Sequence, residues 1–354
     1  MTTRTAVDES TSPEPTLQTR TESGVGVVVL NRPRALNALD DRMITGMHRA
    51  LDSWRVDDAV NGIWVCAAGE KGLCAGGDIR AVREAVRDGR ADSAMTFFGQ
   101  EYALNALVAH YPKPYVVWMD GVVMGGGVGI SGHGSHRLVT ERTRIAMPET
   151  IIGFFPDVGA LWLLSRAPGE TGTHLALSGA TVGGADAVFL GLADIVVSSG
   201  SRDEVYSDLL RAADRDGAGL ASWTPGPRHR LDPSEPELAH QRGWIDECYA
   251  GSDITTILGR LRRCSDPAGS AAADAIEARS PHSVALTLEA LRRARAMSVE
   301  EVLAQDLTLA RSVIAHPDFD EGVRAQLVDK DRAPRWSWDH VSQVTRREVL
   351  SAFA

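Results

Sequence analysis

The chain has 354 residues, 44% hydrophobic, 24% charged and 6% aromatic, with a formal net charge of −10. That length suits one large domain or two ordinary ones of globular composition, and the acidic balance argues against a general nucleic-acid binder, whose footprint is basic. No apolar run approaches the ~20 residues of a membrane span, so neither nucleic acid nor a membrane is an expected partner.

Residues 1–22, "MTTRTAVDESTSPEPTLQTRTE", lack the apolar region of a secretory signal and are expected to form a mobile tail. Four scattered cysteines without a C-x-x-C pair, with Cys66 inside the strand-like "GIWVCAA", suit a reducing interior, and the expected location is cytoplasmic. From residue 23 the texture changes. "SGVGVVVLNRP" predicts a strand stopped by Asn31 and Pro33. Met43, Met47, Leu51 and Trp54 recur at helical spacing and predict an amphipathic helix over 43–57. "NGIWVCAAG" reads as a strand, and "GGDIRAVREAVRDG" as a helix with an Asp start and a Gly stop. "AMTFFGQEYALNALVAHY" reads as a helix ended by "PKP", and "YVVWMDG" as a strand leading into a glycine loop before "HRLVTERTRIAM".

Strands alternating with helices across about 23–200 point to stacked βαβ-like units. From 201 the periodicity is helical, as in "SVALTLEALRRARAM" and "SVEEVLAQDLTLARSVIA". The Gly-, Pro- and Ser-rich stretch 214–237 is expected to cross the surface between the parts. The predicted organisation is therefore a tail over 1–22, an α/β core over 23–213, and a linker with a helical C-terminal region over 214–354.

The glycine loop "MDGVVMGGGVGISGHG" (119–134) contains G-x-G-x-x-G at Gly127, Gly129 and Gly132. A dinucleotide fingerprint needs a helix after it, yet Gly129, Gly132 and Gly134 each disfavour helix by ~1 kcal/mol relative to Ala. His133 and His136 lack the third ligand and acid of a zinc site, and Ser131 is not in a nucleophile elbow. No metal or redox cofactor is expected. Glycines do remove Cβ atoms, so a ligand atom can reach backbone N–H groups. Two such groups aimed at one carbonyl oxygen form an oxyanion hole, and a second glycine turn, "GLCAGGDIR" (72–80), follows another strand.

In that order, "LCAGGDIR", "MGGGVG" and "AMPETIIGFFPDVG" resemble the crotonase (enoyl-CoA hydratase/isomerase) superfamily. The resemblance runs from about 23 to 354. It is nearest to the 3-hydroxyisobutyryl-CoA hydrolase subgroup, which the tail "DFDEGVRAQLVDKDRAPRW" (318–336) also resembles. It implies an α/β fold, a crotonase-like spiral of ββα repeats followed by a helical C-terminal region. It also implies an acyl-CoA substrate, with coenzyme A part of that substrate rather than a cofactor. Superfamily members are often trimers or pairs of trimers, which leaves a homo-oligomer open.

By the same resemblance, Gly77 and Gly126 supply the oxyanion-hole N–H groups and Glu149 is the catalytic carboxylate. Asp157 and Glu101 match substrate-associated acids, and coenzyme A contacts fall near Arg32 and Arg34. Hydratases of the superfamily carry a first glutamate two residues after the triple glycine, where this chain has Gly129, and a glycine where it has Asp157. The relocated acid favours hydrolysis over hydration, and the resemblance implies a small branched 3-hydroxyacyl-CoA as substrate, as in valine breakdown, with an enoyl-CoA hydratase or isomerase as the rival within the class. A non-catalytic acyl-CoA binder is the third reading, and paired acids beside a thioester argue against it.

Plainer readings stand beside these. Glu149 fits a helix first-turn charge, Asp157 a turn residue, Glu101 a surface charge, and Arg34 a solvated side chain. Asp78 and Arg80 fit a helix N-terminal acid and a neighbouring ion-pair partner. The subgroup continues "PDVG" with glycines, whereas this chain has Ala160 and Trp162, which are expected to reshape the acyl pocket.

Overall fold

The computed structural model describes residues 14–216, 220–232 and 235–354. Its strands are β1 (Leu17–Glu22), β2 (Val25–Leu30), β3 (Gly62–Ala67), β4 (Gly72–Cys74), β5 (Tyr115–Met119), β6 (Val122–Met124), β7 (His136–Thr140), β8 (Arg144–Ala146) and β9 (Ile195–Val197). They divide between a six-stranded sheet, ordered β1-β2-β3-β5-β7-β9, and a three-stranded sheet, β4-β6-β8. All pairings are parallel except β1 with β2. The pairs β3–β4, β5–β6 and β7–β8 each give one strand to either sheet before the chain turns, which is the spiral of ββα repeats.

Sequence explains the larger sheet directly. β5 (YVVWM) is buried along its whole length, as a strand covered on both faces must be. One face packs against α8 (Arg202–Asp216) through Trp64, Val116, Trp118, Leu138, Val205, Leu209 and Ala213. The helices that precede it in the chain are α1 (Asp41–Arg55), α2 (Ile79–Arg87), α3 (Ala91–Ala109), α4 (Gly126–Gly129), α5 (Ala160–Leu164), α6 (Thr171–Ser178) and α7 (Gly184–Phe189). The Asp40 carboxylate caps α1 by accepting from the Met43 N–H at 2.9 Å. Met43, Ile44, Met47, Leu51 and Trp54 form its buried face.

Two expectations need correction. The predicted tail includes β1, which pairs along its length with β2; residues 1–13 lie outside the described residues. Its sequence, LQTRTE, is half-exposed, and a polar edge strand gives no hydrophobic alternation to read. The glycine loop also forms a one-turn helix, α4, despite its low helix propensity. Close packing outweighs propensity there, because a Cβ on Gly127 would lie 2.4 Å from the Cys74 carbonyl oxygen.

The helical C-terminal region comprises α9 (Glu237–Cys248), α10 (Ile254–Arg263), α11 (Pro267–Glu277), α12 (Pro281–Ala294), α13 (Val299–Ile314), α14 (Pro317–Val323) and α15 (Arg346–Ser351). α13 lies along α3, and α14 lies on the 3-10 turn Glu149–Ile152. The fit of α14 is close: a Cβ on Gly153, which has φ +71°, would lie 2.2 Å from the Asp318 carbonyl oxygen. Asp318 itself accepts from Ser280 Oγ (2.6 Å) and from Ser337 N–H and Oγ (2.8 and 2.7 Å). The C-terminal region is therefore one wall of the core, not an appendage.

Gly127→Ala is expected to lower stability by about 1–3 kcal/mol, the usual cost of overpacking a filled interior. Chemical denaturation checks this, and an unchanged midpoint would mean that α4 does not press on β4.

Candidate active site

Two glycine turns face each other where the smaller sheet ends. After β4 the chain passes through Gly76 (φ +119°) to Gly77, and after β6 it passes through Gly125 (φ +48°) into α4 at Gly126. Backbone at these φ values favours glycine. The nitrogen of Gly77 lies 3.3 Å from where a Cβ on Gly126 would sit, and the nitrogen of Gly126 lies 3.9 Å from the equivalent point on Gly76. Among the described residues, neither N–H of this pair has a protein acceptor. Two donors without a protein acceptor, bare of side chains, thus lie together in one place.

That place is the floor of a cleft of about 780 Å³, lined among others by Gly77, Gly126, Glu101, Glu149, Asp157 and Arg34. The sequence-derived site residues share one cavity. Leu327 and Lys330, from the segment after α14, close another side. The Glu149 Oε1 lies 2.9 Å from the position of a Cβ on Gly125, and the Glu101 Oε1 lies 2.3 Å from that on Gly126. Only glycine lets these carboxyls sit against the turn.

The acids are buried: Glu101 is 2% exposed, Glu149 8% and Asp157 5%. Glu101 on α3 is therefore not a surface charge. Burial, then the Asp157 charge, pushes the Glu101 carboxyl well above the usual range. Burial, then Asp157, then Glu101, does the same to Glu149. Burial raises Asp157 to about 7, held in check by a 2.7 Å hydrogen bond that Tyr102 Oη donates to its Oδ2. Withdrawal from water disfavours the charged form of a carboxyl, and neighbouring like charges add to that.

The arginines divide. Arg32 donates to Asp78 (3.1 Å) and to the Ala38 carbonyl (2.7 Å) and lies 3.6 Å from Asp40, so its charge is committed within the protein. Asp78 thus pairs with Arg32 and not with Arg80, contrary to expectation. Arg34 is exposed at the cleft rim with Arg80. Ala160 and Trp162 do not line the cleft. Ala160 is buried, and Trp162 faces His133 and carries Arg166 over its ring at 4.4 Å. His133 is a structural histidine, its Nε2 within 2.9 Å of the Val158 carbonyl oxygen.

Three residues here escaped the reading of the sequence: Tyr102, Asn105 and Asp306. Asp306 is fully buried on α13 and accepts from the Gly159 N–H at 2.8 Å. Its carboxyl is also pushed well up, by burial and then by Asp157. A signal existed, because Val299, Val302, Leu303, Asp306, Leu309, Ala310 and Val313 form one buried helix face, and a lone acid on such a face is out of place. Between Asp157 and Gly159 stands Val158 at φ +53°. A β-branched residue in the left-handed region is a strained outlier, costing of order 1–3 kcal/mol.

Comparison with known proteins agrees with this architecture. A family model described as enoyl-CoA hydratase/isomerase matches residues 25–353. The chain is 36% identical over 337 residues to 3-hydroxyisobutyryl-CoA hydrolase, mitochondrial, of Gallus gallus, covering 94% of this chain and 87% of that one. It is 38% identical over 332 residues to the protein of the same name from Rattus norvegicus, covering 93% and 86%. Among solved structures it is similar to a carnitinyl-CoA dehydratase from Mycobacterium thermoresistibile, at 44% identity, TM-score 0.88 and 96% of each chain. It is also similar to an enoyl-CoA hydratase from Rhodobacter sphaeroides 2.4.1, at 35% identity, TM-score 0.90 and coverage of 96% and 97%.

Asp157 binds its proton more tightly folded than unfolded, with its carboxyl raised from 3.8 to about 7. Its contribution to stability is therefore present at acid pH and is lost as pH rises from about 4 through 7. Asp157→Asn is expected to flatten this fall in part, with Glu101, Glu149 and Asp306, raised in the same direction, contributing to what remains. Unfolding midpoints measured from pH 4 to 8 for both proteins test it; identical slopes would place the titration elsewhere.

Proposed function

The chain belongs to the enoyl-CoA hydratase/isomerase family, and from that premise we propose that it hydrolyses a small branched 3-hydroxyacyl-CoA, 3-hydroxyisobutyryl-CoA foremost, to the free acid and coenzyme A. The observation that carries this reading is the crowding at Gly129. A Cβ there would lie 2.7 Å from Val158 Cβ and 2.8 Å from Asn105 Nδ2. The resemblance assigns the first hydratase glutamate to that position, and no such side chain fits. Asp157 stands in the cleft instead, and the relatives from Gallus gallus and Rattus norvegicus carry the hydrolase name over nearly the whole chain.

In this reading the thioester oxygen sits on the N–H groups of Gly77 and Gly126, which stabilise the negative charge it gains. Glu149 in its ionised form either attacks the carbonyl carbon to form a mixed anhydride, which water then hydrolyses to the free acid and the restored carboxylate, or takes a proton from the water that attacks that carbon. The C–S bond breaks with its electron pair on sulfur, and a proton delivered to that sulfur releases coenzyme A as the thiol. Asp157, with its proton affinity near neutrality, holds the 3-hydroxyl or carries the proton. Glu101, wedged against Gly126, fixes the acyl end, and Arg34 meets a phosphate of coenzyme A. No resident cofactor enters the scheme. The acid pair favours an enzyme over a mere acyl-CoA binder.

Hydration or dehydration of an acyl-CoA is the second reading, favoured by the likeness to the carnitinyl-CoA dehydratase structure at 44% identity. Valine breakdown and a cytoplasmic location belong to the same proposal. The latter rests on the four free cysteines, Cys66, Cys74, Cys248 and Cys264, which suit a reducing interior. The named hydrolases are mitochondrial.

Free-thiol release from 3-hydroxyisobutyryl-CoA, set against loss of crotonyl-CoA absorbance, separates the readings; hydration without thiol release would end the hydrolase proposal. Glu149→Gln is expected to lower kcat by at least ~10²-fold, the lower range for a positioned acid–base group, while acyl-CoA still binds. Near-normal hydrolysis by that variant would remove Glu149 from the mechanism. Arg34→Ala is expected to raise KM for acyl-CoA with little change in kcat, the mark of lost uniform binding. A KM unchanged across salt concentrations would take Arg34 out of the site.

A further inference from the structure

The segment Asp157-Val158-Gly159 is held from both sides. Val158 and Gly159 have φ +53° and +73°, conformations that Val158 leaves when unsupported. On one side the His133 ring N–H donates to the Val158 carbonyl at 2.9 Å. On the other, the Gly159 N–H donates to Asp306 Oδ2 at 2.8 Å. Asp306 comes from α13, 147 residues further along the chain, and its Oδ1 has no partner among the described residues.

A buried carboxyl with one idle oxygen is a costly way to dock a helix. A leucine would extend the stripe of Val302, Leu303 and Leu309 on that face. The acid is therefore explained by the loop and not by the packing of α13. We infer that Asp306 is a positioning residue for Asp157: by holding the Gly159 N–H it fixes the left-handed Val158–Gly159 pair and so aims the Asp157 carboxyl into the cleft. Relaxation of Val158 to negative φ would turn the Asp157 carboxyl away from Tyr102 and Glu149. His133 is the second tie of the same clamp. This deepens the preceding reading and rests on it where Asp157 meets the acyl group.

A double-mutant cycle tests the link, with turnover of 3-hydroxyisobutyryl-CoA measured for wild type, Asp306→Ala, Asp306→Asn, Asp157→Asn and the pair Asp306→Ala/Asp157→Asn. Asp306→Ala is expected to lower kcat at least ~10-fold, within the ~10²-fold that a misplacement of about 1 Å costs. Asp306→Asn keeps an oxygen for the Gly159 N–H and is expected to restore kcat to within about threefold of wild type. In the Asp157→Asn background the alanine change should cost nothing further, because residues acting as one unit are non-additive. An equal loss in both backgrounds, wild-type kcat in Asp306→Ala, or no rescue by Asp306→Asn would each overturn the inference. Should Asp306→Ala not fold, His133→Phe, which removes the other tie and keeps a ring beside Trp162, takes its place and must show the same masking. Failure of the hydrolase reading shows separately, in wild type hydrating crotonyl-CoA without releasing thiol. The cycle is then run on hydration and still reads the coupling.

Discussion

The site depends on carboxyls kept out of water with no cation among the described residues to balance them. Glu101, Glu149, Asp157 and Asp306 are buried together, and no basic side chain among the described residues counters their upward-shifted proton affinities. Arg34 and Arg80 stay at the rim, and Arg32 is held by Asp40 and Asp78. Four full charges in that volume are untenable, so the cluster must hold protons, and each proton gained or lost by one member alters its neighbours. The environment that makes the cluster costly also raises Asp157 to about 7, where it can carry a proton near neutral pH.

The spiral gives this cluster its address. Each turn sends a strand to the smaller sheet, and the ends of β4 and β6 bring Gly77 and Gly126 to face each other. Glycine is required twice over there, by positive φ at Gly76 and Gly125 and by the carboxyls of Glu101 and Glu149 pressing on the turn. At Gly129 the same bareness admits Val158 and Asn105 in place of a side chain. One stretch of small residues therefore decides both which backbone N–H groups lie bare and where neighbouring side chains press in.

The apolar strands β2, β3 and β5 and the amphipathic α1 were legible because burial on one or both faces leaves a periodic trace. β1 was not, being a polar edge strand, and α4 was not, because packing on Cys74 outweighs propensity in four residues. The positions taken from the family resemblance, Gly77, Gly126, Glu101, Glu149 and Asp157, do meet in one cleft. What they do there was not legible from their spacing, since desolvation is set by segments far along the chain. Asp306 hid inside a helical pattern whose periodicity is plain and whose one buried acid gives no periodic signal of its own. The Asp78–Arg80 pairing failed for a plainer reason, that Arg32 reaches Asp78 across a loop.

The docking of α13 and α14 on the core has a consequence for how the protein is made. Chains emerge from the ribosome N-terminus first, at roughly 5–20 residues per second. The two sheets are complete once β9 is out, whereas Asp306, which holds Gly159, and Asp318, which lies against Gly153, come more than a hundred residues later. Until then the left-handed Val158 lacks one of its ties. The nascent core carries the two glycine turns and the carboxyls before Leu327 and Lys330 are there to line the same cleft. The cleft is completed only by the last fifth of the chain, after release brings the C-terminal helices home.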